Sequence, residues 1–188
     1  MNLGTIWSKN KIIRSNNARK PITNIKPVIL DVNNKKTRMF WGAATWHFFH
    51  IIAARISPHF YAANYKYIWD FIVQVCSNLP CPFCRQHAVN YITKIPLHSI
   101  NTRPKFEKVL FDFHNSVNSR TGKNIENIQV LEKYKRAANI QKICNFFETR
   151  FFHSYIGRRN FDDWMKNEFK IKYYAFLNKI GKSFVRYN

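Results

Sequence analysis

The sequence predicts an all-α fold, and three observations support this prediction. The chain has 188 residues, of which 46% are hydrophobic and 17 are Phe, so it can bury a real core. Only five Gly and seven Pro are present, which leaves little room for a turn-rich β protein. Apolar residues recur at helical spacing from about residue 38 onward, with short breaks between the runs.

Four helices are predicted in the central part of the chain. Ser57-Pro58 ends the first apolar run, and Asn78-Leu79-Pro80 breaks the chain after the second. A glycine just past the last helix fits a left-handed cap. The predicted helices cover residues 38–56, 61–76 and 81–93, followed by a segment from Pro104 to just before Gly122. Helices of this length with short connections predict a compact four-helix bundle.

Composition divides the chain into three predicted segments. Residues 1–37 are rich in Asn and Lys without a period, which is typical of a basic arm. Residues 38–124 carry the helical pattern of the bundle. Residues 125–188 are aromatic and basic, and we expect a helical extension there.

The chain has a formal charge of +21, spread over its whole length. Such a charge attracts nucleic acid or an anionic membrane surface without sequence specificity, and it would also suit a polyphosphate cofactor. A need for solubility explains it equally well. The sequence has no run of eighteen apolar residues, so it predicts no membrane span. It also has no N-terminal apolar segment of the kind that directs secretion, so we expect a protein that stays in the cytosol.

Two of the four cysteines, Cys81 and Cys84, form a CxxC motif at the predicted start of the third helix. A thiol at a helix N-terminus lies near unpaired N–H groups, which favour the thiolate. The spacing also puts both sulfurs on one helical turn, where a disulfide can close and reopen. In a cytosolic chain such a pair is more often redox-active or metal-binding than structural.

The same cysteines allow a zinc site. Cys81, Cys84 and His87 could bind the ion, with His98 or His114 as fourth ligand, but no second ligand pair is closely spaced. A thioredoxin-like fold is disfavoured, because the segment before the motif has helical periodicity rather than that of a strand.

The CxxC pair lies between two further motifs in the segment from residue 38 to residue 123. The first further motif contains Arg38, Gly42, Thr45, Trp46 and His50; the second contains His114, Asn115, Val117 and Asn118, followed by Gly122 and Lys123. In this order the three elements resemble the Erv/ALR family of FAD-linked sulfhydryl oxidases, most closely the versions of large cytoplasmic DNA viruses.

The resemblance implies a bundle that holds FAD beside the CxxC pair. It implies Cys84 as the sulfur next to the flavin and Cys81 as the sulfur that meets dithiol protein substrates, with molecular oxygen reduced to hydrogen peroxide. The residues of the two further motifs are implied to contact the cofactor, with Arg38 and Lys123 as cations for its pyrophosphate. A homodimer is also implied, and the viral versions imply work on virion proteins in the host cytoplasm or the virion.

Each assignment has a simpler alternative. Trp46, His50 and His114 could be core residues, and Lys123 could merely follow a helix C-terminus. Arg55 stands where many family members carry an aromatic flavin contact, and no second CxC or CxxC pair offers a shuttle. Cys76 and Cys144 are expected to be buried, free thiols. The alternative function is a basic structural or nucleic-acid-binding virion protein with a zinc-bound or inert CxxC.

Overall fold

The computed structural model describes residues 40–136, 139–155 and 163–185, so Arg38 and the arm 1–37 lie outside the described residues. The described part of the chain is α-helical, and its only β-type pairing is an isolated bridge between Ile56 and Phe184. This confirms the predicted all-α class. The helices are α1 Phe40–Arg55, α2 Pro58–Ser77, α3 Pro82–Ile92, α4 Arg103–Arg120, α5 Glu132–Arg136, α6 Ile140–His153 and α7 Asp163–Ile180.

Local chemistry sets the ends of these helices. α2 begins three residues before its predicted start, because the Ser57 side chain accepts a hydrogen bond from the Phe60 N–H and Pro58 fits a first helical turn. α4 ends at Arg120, two residues before Gly122, and the φ of Gly122, 67°, lies in the left-handed region. The next residue, Lys123, donates its N–H to the Asn118 carbonyl at 2.9 Å, which closes the helix end.

The four helices α1 to α4 form the predicted bundle. α1 packs against α4, and α2 packs against both α3 and α4. The rings of Tyr61 on α2 and Phe106 on α4 stack with centroids 5.1 Å apart in this core. Both side chains are fully buried, so the contact helps to hold α2 and α4 together.

The C-terminal helices cover the opposite side of α1 and α2. The Phe147 ring of α6 stacks on Phe48 of α1 at a centroid distance of 4.3 Å. Phe176 of α7 stacks on Phe71 of α2 at 3.7 Å. The extension is therefore helical, as expected, and it completes the hydrophobic core.

The end of the described chain returns to the turn between α1 and α2. Val185 donates its N–H to the Arg55 carbonyl at 2.7 Å, and the Arg55 Nε donates to the Val185 carbonyl at 3.0 Å. Arg55 is buried there, so in this chain it anchors the C-terminal segment. Among the described helices, none combines the length and the apolar character needed to cross a membrane.

Candidate functional site

A cluster of flat rings lies between α1 and α4. Trp46 and His50 are one turn apart on α1, with centroids 6.3 Å apart and planes 28° apart. His114 of α4 stacks on Trp46 at a centroid distance of 4.3 Å and an angle of 13°. The structure therefore brings together three site residues that were predicted from separate motifs. We call Trp46, His50 and His114 the ring cluster.

The two imidazoles of the ring cluster are hydrogen-bonded, with the Nε2 of His50 3.1 Å from the Nδ1 of His114. Burial and, to a smaller extent, the neighbouring His114 lower the pKa of His50 to about 3. Burial followed by the charge of Lys123 lowers the pKa of His114 to about 4. Both rings are therefore neutral at pH 7 and can contact an aromatic or polar ligand without carrying charge.

Two buried ring nitrogens of α1 lack hydrogen-bond partners among the described residues: the Nδ1 of His50 and the Nε1 of Trp41. A buried polar atom without a partner is costly, so a ligand that bonded to either atom would remove that cost. A Cβ placed on Gly42, one residue after Trp41, would meet no atom within 4 Å, so the helix surface there is open. These features fit the expected FAD.

The other predicted contacts of α1 and α4 differ in what their side chains do. Thr45 is buried and donates its hydroxyl to the Trp41 carbonyl, so it is part of α1 itself. Asn118 is buried near the end of α4, whereas Val117 is half-buried. The Asn115 amide makes two hydrogen bonds to the backbone of Glu126, at 3.0 Å and 2.9 Å, and so holds the loop after α4.

The dithiol lies at the start of α3, where Cys81 is the N-cap residue. Its Sγ accepts a hydrogen bond from the Cys84 N–H at 3.3 Å. Both cysteines are present as thiols and are partly exposed to solvent. The pair is thus accessible to a partner, as thiol–disulfide exchange requires.

The environment of Cys84 differs from the expectation that the helix N-terminus would favour a thiolate. Burial, then the hydrogen bond and charge of Cys81, raise the pKa of Cys84 to about 11. Arg120 at the end of α4 opposes this shift through its charge and a hydrogen bond to the thiol. Burial is the largest of these effects, and the pKa of Cys84 therefore stays raised despite the charge of Arg120.

A stack of rings connects the dithiol helix to the ring cluster. Tyr91 of α3 stacks on Phe113 of α4 at 4.6 Å, and Phe113 meets the edge of Trp46 at 5.1 Å. Tyr91 lies seven residues after Cys84 and therefore on the same face of α3, about 10 Å along the helix. The dithiol and the ring cluster thus belong to one continuous region across α1, α3 and α4.

A sequence model of the Erv1 / Alr family matches residues 43–137, which contain the dithiol and the ring cluster. The chain belongs to the Erv1 / Alr family. No solved structure matches it significantly.

Relatives in large DNA viruses share this region. The chain is 37% identical over 90 residues to the FAD-linked sulfhydryl oxidase of an African swine fever virus isolate from a pig in Kenya. The aligned region covers 46% of this chain and 72% of the viral protein. It is 36% identical over 90 residues to the protein of the same name from a warthog isolate from Namibia, with the same coverage. Protein 347L of Invertebrate iridescent virus 6 is 33% identical over 89 residues, or 44% of this chain and 80% of the viral protein.

The Erv1 / Alr match also includes α5, which the predicted bundle had left out. The Tyr134 hydroxyl of α5 lies 2.9 Å from the Nδ1 of His47, and the Tyr134 ring lies 5.1 Å from that of His50. Sequence reasoning missed His47, Tyr134 and also Arg120. A sequence signal existed only for Arg120, which lies two residues after Asn118 in the second motif.

The zinc alternative finds no support in the described residues. No group of three or more His, Cys, Asp or Glu side chains lies close enough to hold a metal ion in the part of the chain that the structure describes.

Proposed function

We propose that this chain is an FAD-dependent sulfhydryl oxidase that forms disulfide bonds in protein substrates, with Cys81 and Cys84 as its redox pair. One observation carries the proposal: an accessible dithiol shares a helix face with a ring stack that leads to two neutral imidazoles. One of these imidazoles, His50, has a buried nitrogen without a hydrogen-bond partner among the described residues. FAD, when bound, supplies a two-electron acceptor that reoxidises the dithiol and passes the electrons to oxygen, giving hydrogen peroxide.

The ring cluster supplies most of the proposed contact surface for the cofactor. Neutral imidazoles can stack on a flat ring, and each of these two keeps one nitrogen outside the His50–His114 contact that can donate or accept a hydrogen bond. Lys123 acts through its charge on the pKa of His114, and its ammonium is the proposed contact for a cofactor phosphate. The remaining proposed contacts are Arg38, which lies outside the described residues, together with Gly42, Thr45, Asn115, Val117 and Asn118.

The proposed chemistry of the protein sulfurs is a thiol–disulfide exchange. A substrate thiolate attacks the Sγ of Cys81 in the oxidised pair, the Cys81–Cys84 bond breaks, and Cys84 leaves as a thiolate. A second substrate thiolate then attacks the substrate sulfur of the mixed disulfide and releases Cys81. The substrate has lost two electrons and two protons, and the pair is reduced.

Arg120 has a defined part in this exchange. Because it lowers the pKa of Cys84, it stabilises the thiolate that leaves in the first step. Arg120 acts on the Cys84 sulfur and not on the substrate, so it is a positioning residue.

The proposed partners are dithiol proteins, which could include a thioredoxin-like or virion redox protein, and a second copy of the chain. We further propose that the enzyme acts in the host cytoplasm or the virion, since the relatives are viral. The segments 1–37, 38–124 and 125–188 are proposed as arm, oxidase bundle and extension. The net charge of +21 would add non-specific attraction to nucleic acid.

The purified full-length protein tests this proposal. It should be yellow, hold about one non-covalent FAD per chain, and consume oxygen with dithiothreitol. Cys81→Ser and Cys84→Ser should abolish oxygen consumption while FAD stays bound. Each variant removes a sulfur that takes part in electron transfer but makes little contact with the cofactor. The matched control, Cys144→Ser, should retain turnover. A colourless protein with stoichiometric zinc would overturn the oxidase proposal and favour the structural alternative.

A further inference from the structure

Phe83 is 82% exposed, more than any other large apolar side chain in the described ranges. It lies in the first turn of α3, between Cys81 and Cys84. The sulfur chemistry does not use it, and the core does not bury it. Aromatic side chains are enriched at protein interfaces, and this one lies within the reactive pair.

The charge around this residue is positive. α3 contains Arg85 and no acid. Arg120 of α4 reaches the same place, because its charge acts on both Cys84 and His87. Asp112 of α4 acts on Tyr91, near the other end of α3, and forms an ion pair with Lys108 at 2.7 Å.

Resting on the proposed oxidase function, we propose that Phe83 is the docking residue for protein substrates. It packs against an apolar side chain within about two residues of the substrate cysteine, since an extended chain advances only about 3.3 Å per residue. Arg85 and Arg120 attract acidic residues that flank that segment. The substrate class is therefore extended, reduced segments in which a cysteine has apolar and acidic neighbours.

The docking contact acts before electrons move. Burying the Phe83 ring against the substrate holds the substrate thiolate beside the Sγ of Cys81, where it breaks the Cys81–Cys84 bond as described above. This contact forms in the bound state and remains in the transition state, so its removal should raise KM more than it lowers kcat. A small dithiol has no side chain that could use it.

The test compares three substrates on the full-length, FAD-loaded enzyme. They are dithiothreitol, a dithiol peptide with Leu and Glu beside its cysteines, and a matched peptide with Ser and Lys at those positions. The measured quantity is the kcat/KM for the Leu-Glu peptide divided by the kcat/KM for dithiothreitol. Phe83→Ser should lower this ratio about tenfold, the effect expected when the partial burial of one aromatic ring is lost. Phe83→Leu should restore most of the ratio. Ile171→Ser, which alters an exposed apolar residue of α7, should leave the ratio unchanged.

The charge component has its own measurement. The wild-type enzyme should prefer the Leu-Glu peptide to the Ser-Lys peptide, and about 0.5 M salt should reduce that preference by screening Arg85 and Arg120. Equal kcat/KM values for the two peptides would overturn the inference, as would an unchanged ratio in Phe83→Ser. A change in oligomeric state alone, seen by gel filtration of Phe83→Ser with an unchanged ratio, would instead assign this residue to contacts between copies. A wild-type protein that holds no flavin or does not oxidise dithiothreitol would refute the oxidase proposal itself. Failure of the docking proposal and failure of the oxidase proposal therefore give different results.

Discussion

The Nε2 atom of His50 lies 3.1 Å from the Nδ1 atom of His114, and this contact joins residues 64 positions apart in the sequence. It connects α1 to α4 at the centre of the proposed cofactor site. Since both rings are neutral at pH 7, only one of the two nitrogens carries the shared proton. A proton added to the accepting nitrogen would turn it into a donor and break this bond.

The first prediction concerns pH and stability. The folded pKa values of His50 and His114, about 3 and about 4, lie below the ordinary value of 6.5. At a pH between the folded values and 6.5, these histidines bind more protons in the unfolded chain than in the folded one. The free energy of unfolding therefore falls as the pH falls through 6.5. From pH 7 to pH 5 each histidine should cost about 2 kcal/mol. Urea unfolding at fixed free FAD measures this.

A pair of variants separates this effect from general acid sensitivity. His50→Phe should flatten the pH dependence, because it removes one of the two groups that resist protonation. His59→Gln, at an exposed position at the start of α2, is the matched control. An identical pH dependence in the wild type and His50→Phe would contradict the prediction.

The second prediction concerns the ring cluster. Trp46→Ala or His114→Ala should lower FAD occupancy and thermal stability together, because a ligand that binds only the folded state stabilises it. At a hundredfold excess of FAD over its Kd, that stabilisation is about 2.7 kcal/mol. Flavin absorbance and melting curves measure the two effects. Trp164→Ala, at an exposed position of α7, is the control, and full flavin content in the cluster variants would place the cofactor elsewhere.

The third prediction concerns Arg120. Arg120→Gln should raise the pKa of Cys84 further above about 11, because the opposing cation is lost. Arg120→Lys should restore much of the effect through its charge. The pH profile of Cys84 alkylation, followed by mass spectrometry of the reduced protein, measures the shift. Arg136→Gln, an exposed cation of α5, should leave the profile unchanged, and the idea fails if Arg120→Gln does the same.

The fourth prediction concerns the remaining cysteines. Cys76 and Cys144 are free and buried, and burial raises the pKa of Cys144 to about 12 and that of Cys76 further still. Both should react slowly with alkylating reagents in the folded protein. Cys76→Ser and Cys144→Ser should keep near-normal turnover with dithiothreitol and lose at most some stability. A Cys76–Cys144 crosslinked peptide in the unreduced, alkylated protein would be decisive against this.

The sequence predicted what depends on local pattern. Helical spacing and breaks located α1 to α4 within a few residues, and Gly122 marked the end of α4 because only a left-handed residue fits there. Tyr134 was missed because its contact with His47 depends on how the chain returns to α1 across 87 residues. The pKa of Cys84 was misjudged because burial depends on packing, which the helix position of the thiol does not reveal.

The cover that α6 and α7 place on α1 also constrains how the protein is made. The Phe48 ring of α1 has its stacking partner, Phe147, about one hundred residues later in synthesis. Until α6 emerges from the ribosome, the nascent bundle carries an exposed aromatic surface that could bind another unfinished chain. Contacts of such large sequence separation also slow folding, because the intervening loop must close first. The newly made oxidase therefore depends on the last third of its chain to leave the aggregation-prone stage.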